Sequence, residues 1–153
     1  MIDEIDQRII LRLQEDARLS NAALAEEVGL TVSTVHERVK KLERKGIIKG
    51  YVAVVDAAAL GKPITAFIRL TVGAQADYIE SKNKIESVCL AEPDVLECHG
   101  LAGEDCYILK VRVAGPQALE HLIERLRSQG SISRSITSIV LSTFKESSMV
   151  VPQ

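Results

Sequence analysis

Ser33, Thr34, Glu37, Lys40, Lys41 and Arg44 are the side chains whose types and spacing say most about chemistry. At ~100° per residue, Ser33, Glu37, Lys40 and Arg44 fall on one side of a helix, with Thr34 and Lys41 flanking them. Short hydroxyl side chains at the N-terminal end would let a helix tip enter the major groove of DNA. Cations further along would reach phosphates on either side, and Arg38 is read as backbone-directed in the same way. Charge is concentrated here: residues 33–50 hold six cations against two acids, while the whole chain holds 19 basic and 21 acidic groups, a net of −2. The overall balance therefore names no partner, whereas this one window does. A capped surface helix with cations at its negative end would look similar, so the turn that precedes it has to decide.

Other reactive types are placed less suggestively. Cys89, Cys98 and Cys106 stand 9 and 8 residues apart, with no CxxC pair. His36, His99 and His121 form no HxxxH or HExxH pattern, so no metal site is expected. Reduced, mostly buried thiols are the simpler reading. Cys98 and His99 are neighbours in a strand-like stretch and would point to opposite faces. No phosphate-binding loop of the GxxxxGK[ST] type occurs. Glu104 and Asp105 could pair as acids, although a solvated turn explains them too. No catalytic residue and no cofactor are assigned, and an enzyme is not expected.

The elements that must position the residues of 33–44 are legible from periodicity. Ile5, Ile9 and Leu13 repeat at helical spacing behind Asp3, an acceptable N-cap. Ser20 can cap a short second helix, about 21–28, whose inward face is Leu24, Ala25 and Val28. Gly29 ends it. Thr31 can cap a third helix with Val35, Val39 and Leu42 as its buried stripe, and Gly46 stops it. Two helices joined by Gly29-Leu30-Thr31 have the form of a helix-turn-helix. That turn decides for DNA, and it adds Ser20, Asn21 and Thr31 to the candidates. A helix N-terminus at Ser20 and Asn21 could donate to a phosphate.

After Gly46, residues 47–55 are β-rich and end in a turn-like stretch closing at Gly61, read as a strand and linker. The expected division is 1–50 helical, 51–62 strand and linker, and 63–153 a second domain. Strand-like 64–72, helix-like 76–91, strand-like 95–101 and 107–113, a helix from Pro116 to about Ser128, and a strand over 135–144 follow. The order β-α-β-β-α-β predicts an α+β, ferredoxin-like sandwich. One sheet face would be left for a second copy to cover. With 46% hydrophobic residues the chain should fold. It has no apolar run of ~18 residues, and Asp3, Glu4 and Asp6 argue against a targeting peptide. A cytoplasmic protein with no membrane partner is expected.

A helix-turn-helix followed by a βαββαβ domain resembles the Lrp/AsnC, or feast/famine, transcription regulators. Asp3-x-x-Asp6-x-x-Ile9-Ile10-x-x-Leu13 is similar to that family's opening. So are Ala17-Arg18-Leu19-Ser20-Asn21, Leu24-Ala25, Val28-Gly29-Leu30-Thr31, Glu37-Arg38-Val39 and Leu42-Glu43-x-x-Gly46-Ile47-Ile48-x-Gly50-Tyr51. Glu97-Cys98-His99, Gly103 and Tyr107–Val113 resemble its central hairpin. The resemblance implies a winged helix-turn-helix domain and a C-terminal effector-binding and oligomerisation domain, in a prokaryotic, nucleoid-associated protein. It implies a sequence-specific regulator on double-stranded, palindrome-like DNA, with homodimers joined through the sheet and assembled into tetramers or octamers. It also implies an amino-acid effector bound where hairpin turns of adjacent dimers meet. By position, the effector residues are Leu101, Ala102, Gly103, Glu104, Asp105 and Cys106, with Ser135 and Thr137.

One departure bears on that effector. Where the family pattern often reads Gly-x-x-Asp-Tyr, this chain reads Gly103-Glu104-Asp105-Cys106-Tyr107. A thiol does not replace a carboxylate as an ammonium partner unless it ionises, and loss of such a charged hydrogen bond removes about 1.5–3 kcal/mol. Either the pocket is altered or it reads another ligand. An architectural protein that bends or wraps DNA with weak sequence preference and no amino-acid effector is the alternative reading.

Overall fold

The computed structural model describes residues 2–73, 77–103, 106–128 and 132–152. The chain divides into two compact units, Met1–Val54 with Lys145–Gln153, and Val55–Phe144.

The first unit holds three helices, α1 (Glu4–Glu15), α2 (Asn21–Val28) and α3 (Val32–Arg44). Each begins at the cap its sequence offers. Asp3, Ser20 and Thr31 accept from the backbone N–H three residues on, at 2.8, 3.1 and 3.2 Å. Gly29 ends α2 at φ +72°, a left-handed conformation that glycine adopts without a Cβ clash. Its position lets Leu30 N–H close back on the Ala25 carbonyl. Ile9, Leu13, Leu24, Ala25, Val28, Val35, Val39 and Leu42 meet in one core. They are the residues whose period marked the inward faces.

One expectation fails in this unit. Residues 47–55 form no strand, and Val52 and Val54 are almost fully exposed. A strand needs a neighbour to take its N–H and C=O groups, and no paired neighbour is present among the described residues. The tail from Lys145 onward groups with the helices. Gln14 on α1 explains this: its amide donates to the Val150 carbonyl at 2.8 Å and accepts from Val150 N–H at 2.7 Å.

The second unit is built from β1 (Ile64–Val72), α4 (Tyr78–Ala91), β2 (Val95–Gly100), β3 (Tyr107–Val113), α5 (Pro116–Arg127) and β4 (Ile132–Ile139). The sheet is antiparallel in the order β2-β3-β1-β4, the ferredoxin-like arrangement. Its last strand begins and ends earlier than the sequence pattern suggested. Ala66, Ile68 and Leu70 of β1 and Tyr107, Leu109, Val111 and Val113 of β3 alternate onto one buried face. Ile85 of α4 and Leu119, Leu122 and Leu126 of α5 complete that core. The opposite face carries Phe67, Ile108 and Ile136, interspersed with Arg69, Lys110 and Arg112, and none of these six is fully buried.

Candidate nucleic-acid interface and effector turn

The α2–α3 pair presents its polar residues as helical geometry requires. Val35, Val39 and Leu42 are buried, while Ser33, Thr34, Glu37, Lys40, Lys41 and Arg44 are all exposed. Thr31, Ser33 and Thr34 form a hydroxyl cluster at the tip of α3, with the Thr31 oxygen 3.0 Å from Ser33 and 2.8 Å from Thr34. Ser20 holds the start of α2 by accepting from Ala23 N–H, which leaves its own hydroxyl proton able to donate outward. Asn21 has a second attachment. Its amide lies 3.1 Å from His36 Nδ1, tying the start of α2 to α3.

Two cationic candidates are engaged within the protein. Arg38 donates from Nη1 to Asp3 at 2.7 Å and to Asp6 at 2.7 Å. Asp6 is only 3% exposed, so this cation neutralises a buried carboxylate and fixes α3 against α1. The Asp6 backbone N–H and then Arg38 hold the Asp3 carboxyl below its ordinary range, and both acids raise Arg38 in return. Arg38 is therefore a positioning residue first. Lys40 pairs with Glu43 at 2.9 Å in an exposed i, i+3 contact. Lys40 and then the Tyr51 hydroxyl, at 3.1 Å, lower the Glu43 carboxyl. Burial, then its bond to Glu43, raises the Tyr51 phenol. An exposed pair of this kind is weak, so Lys40 can leave Glu43 for a phosphate at little cost.

His36 was not singled out by the sequence pattern. It lies exposed on the side of α3 toward α2, and its pairing with Asn21 joins positions 15 apart, a contact that periodicity does not reveal.

In the second unit, Leu101, Ala102 and Gly103 are exposed in the turn between β2 and β3. Glu104 and Asp105 lie outside the described residues. Leu101 N–H donates to the Cys106 carbonyl at 2.8 Å, and Cys106 N–H to the Leu70 carbonyl at 2.8 Å. The Cys106 thiol turns inward against the core and accepts from Val72 N–H at 3.4 Å. Ser135 and Thr137 pair with Leu70 and Ile68, placing both on the helix-covered side of β4. Ser135 also accepts from Arg127 Nε at 2.9 Å and Nη2 at 2.6 Å. The sequence pattern did not point to Arg127; its position in the last turn of α5 was the available signal. The structure thus places Cys106 and Ser135 on opposite flanks of β1, separated by one strand.

Among the described residues, no group of three or more His, Cys, Asp and Glu could hold a metal ion. No helix among them is long and apolar enough to cross a membrane.

A family model described as winged helix-turn-helix DNA-binding matches residues 2–49, and one described as the Lrp/AsnC ligand binding domain matches residues 65–150. This chain belongs to the Lrp/AsnC family. Among Lrp/AsnC relatives, the HTH-type transcriptional regulator LrpA of Mycobacterium tuberculosis is 33% identical, over 99% of this chain and 97% of its own. The leucine-responsive regulatory protein of Escherichia coli is 33% identical, over 98% and 91%. A transcriptional regulator of Neisseria meningitidis, solved in complex with L-methionine, superimposes with a TM-score of 0.91 at 29% identity, covering 98% of this chain and 96% of that one. A feast or famine regulatory protein of M. tuberculosis, also complexed with L-methionine, gives 0.89 at 33% identity, covering 99% and 100%. The chain is accordingly an HTH-type transcription regulator.

Proposed function

We propose that this Lrp/AsnC regulator reads duplex DNA with the outward face of α3 and responds to an amino-acid effector at the turn after β2. The observation that carries the first half is the clean division of α3. Its apolar positions are buried, and Ser33, Thr34, Glu37, Lys40, Lys41 and Arg44 are left to solvent behind a hydroxyl-capped tip. Ser33, Thr34 and Glu37 are short enough to meet base edges, Glu37 as an acceptor from cytosine N4. Lys40, Lys41 and Arg44 then supply phosphate contacts, and Ser20 and Asn21 a further one at the start of α2. Thr31 shapes the tip, and Arg38 sets the height of α3 above α1.

The effector half is supported by the two L-methionine complexes of similar fold and identity near 30%. A glycine turn such as the one at Gly103 offers backbone N–H groups that suit a carboxylate. With Cys106 turned into the core, the ammonium falls to Glu104 or Asp105. A second copy of the chain would cover the open face around Phe67, Ile108 and Ile136, giving the two-fold symmetry that a palindrome-like site demands.

The test is anisotropy titration of a site selected from random DNA, at several salt concentrations, with wild type and K40E/K41E. Wild type should show a steep salt slope and a clear margin over random DNA. The double reversal should weaken binding to every sequence and flatten the slope by about 2, roughly 0.9 for each phosphate no longer neutralised. Unchanged affinity would remove this face from the interface. Equal affinity for selected and random DNA would leave the architectural reading in its place.

A further inference from the structure

The second unit contains a cavity of about 970 Å³ bounded by α4, β2 and the start of β3, and all three cysteines of the chain line it. Cys89 projects from the last turn of α4 and Cys98 stands on β2, and both sit on the wall of this one cavity and against the same core. Both are half-buried, with one side packed on the core and the other facing the cavity. Cys106 stands apart, with its sulfur taken by Val72 N–H. Two thiols sharing one open cavity wall have two common uses, soft-metal ligation and disulfide exchange. The described residues offer no third His, Cys, Asp or Glu that would build a metal site around the pair, which leaves redox chemistry.

We propose that Cys89 and Cys98 form a peroxide-oxidisable dithiol site, in which a hydroperoxide entering the cavity converts the pair to a disulfide that ties the end of α4 to β2. In the first step the Cys98 thiolate attacks one peroxide oxygen. An S–O bond forms, the O–O bond breaks, and the sulfur is oxidised by two electrons to a sulfenic acid. The departing alkoxide or hydroxide takes a proton and leaves as alcohol or water. In the second step the Cys89 sulfur attacks the sulfenic sulfur. The S–S bond forms, the S–O bond breaks, and the hydroxyl leaves as water with the Cys89 proton.

The order of attack follows from the environment. The hydrogen bond from Cys89 and the neighbouring His99 bring Cys98 down to about 7, against the opposing effects of burial and Glu86. The hydrogen bond with Cys98 and burial push Cys89 up. A fall from the ordinary thiol value to about 7 raises the thiolate fraction at neutral pH by roughly 15-fold, but reduced nucleophilicity returns roughly 5-fold. The gain of about 3-fold in attack rate is small, so the pre-placed partner matters more. Once Cys98 is oxidised, the charge that held the Cys89 proton is gone and Cys89 can close the bond. The cavity wall also carries Leu101 and Cys106 of the effector turn, but the dithiol chemistry uses neither.

The experiment treats the reduced full-length protein at pH 7 with one equivalent of hydrogen peroxide, then counts free thiols and maps linked peptides by mass spectrometry. The expected result is a fall from three free thiols to one, a Cys89–Cys98 link, and full recovery with dithiothreitol. C106S should give the same link, while C89S and C98S should not, and C98S should lose thiols about 3-fold more slowly. A protein that keeps three free thiols overturns the proposal, as does a link through Cys106 or between chains as the main product. The wild-type map suffices even where a serine variant folds poorly.

Discussion

Arg38 shows how one side chain decides whether a helix face is usable. Its side chain is 27% exposed, yet its guanidinium reaches Asp6, whose side chain is 5% exposed, at 2.7 Å. R38M would keep the volume and leave that carboxylate buried without its cation. The expected loss in unfolding free energy is about 2–3 kcal/mol, below the 3–5 of a fully buried pair because Arg38 is partly solvated. The pH dependence has a definite sign. Arg38 helps hold the folded Asp3 carboxyl below its unfolded value of about 3.9, so that stabilisation is complete above about pH 4 and is lost as pH falls through the folded value. Chemical denaturation of wild type and R38M from pH 7 to pH 3 should therefore show a gap that is widest near neutrality and narrows below pH 4. A gap independent of pH, or absent at pH 7, would mean that the ion pair does not hold α3 on α1.

At the scale of elements, α3 was legible because its core stripe and its polar face separate cleanly at 3.6 residues per turn, and because Thr31 and Gly46 mark its ends. The same period failed to show that Arg38 is turned inward, since Asp3 and Asp6 lie over 30 positions away. The strands β1 and β3 have the bounds that the strand-like stretches of the sequence indicated, whereas 47–55 has β-favouring residues and no paired neighbour among the described residues. Propensity supplies a tendency, and the hydrogen-bonding neighbour makes the strand. Near the effector turn, the sequence placed Cys106 where a carboxylate was expected but could not show its thiol facing the core. The hydroxyl cluster at the α3 tip yields a separable prediction. T31A removes the N-cap and should cost about 1 kcal/mol of stability. T31S keeps the capping oxygen and should restore most of it, along with DNA affinity. Thermal melts and titrations of the two variants check this. If T31S binds DNA as poorly as T31A while melting like wild type, the Thr31 methyl group touches DNA and the cap is incidental.

For the whole molecule, the sheet raises a question that the single chain does not answer by itself. Alternation along β1 and β3 commits every second residue to the helix-covered core, which leaves Phe67, Ile108 and Ile136 together on the other face. Phe67 is 36% exposed at its centre, opposite Lys110 on one side and Ser138 on the other. Such a face is too apolar for bulk water and too charged for a second layer of helices, and it suits a symmetric copy. F67E would place a carboxylate in the middle of the proposed contact without touching the core behind it. Light scattering should then report half the wild-type mass, with an unchanged circular dichroism spectrum. DNA carrying two half-sites should bind about 100-fold more weakly, because the second half-site is no longer engaged at millimolar effective concentration. DNA carrying one half-site should bind nearly as before. Equal losses on both DNAs would point to damage within the helical unit. A mutant that kept the wild-type mass would place the subunit contact elsewhere and leave this sheet face exposed to solvent.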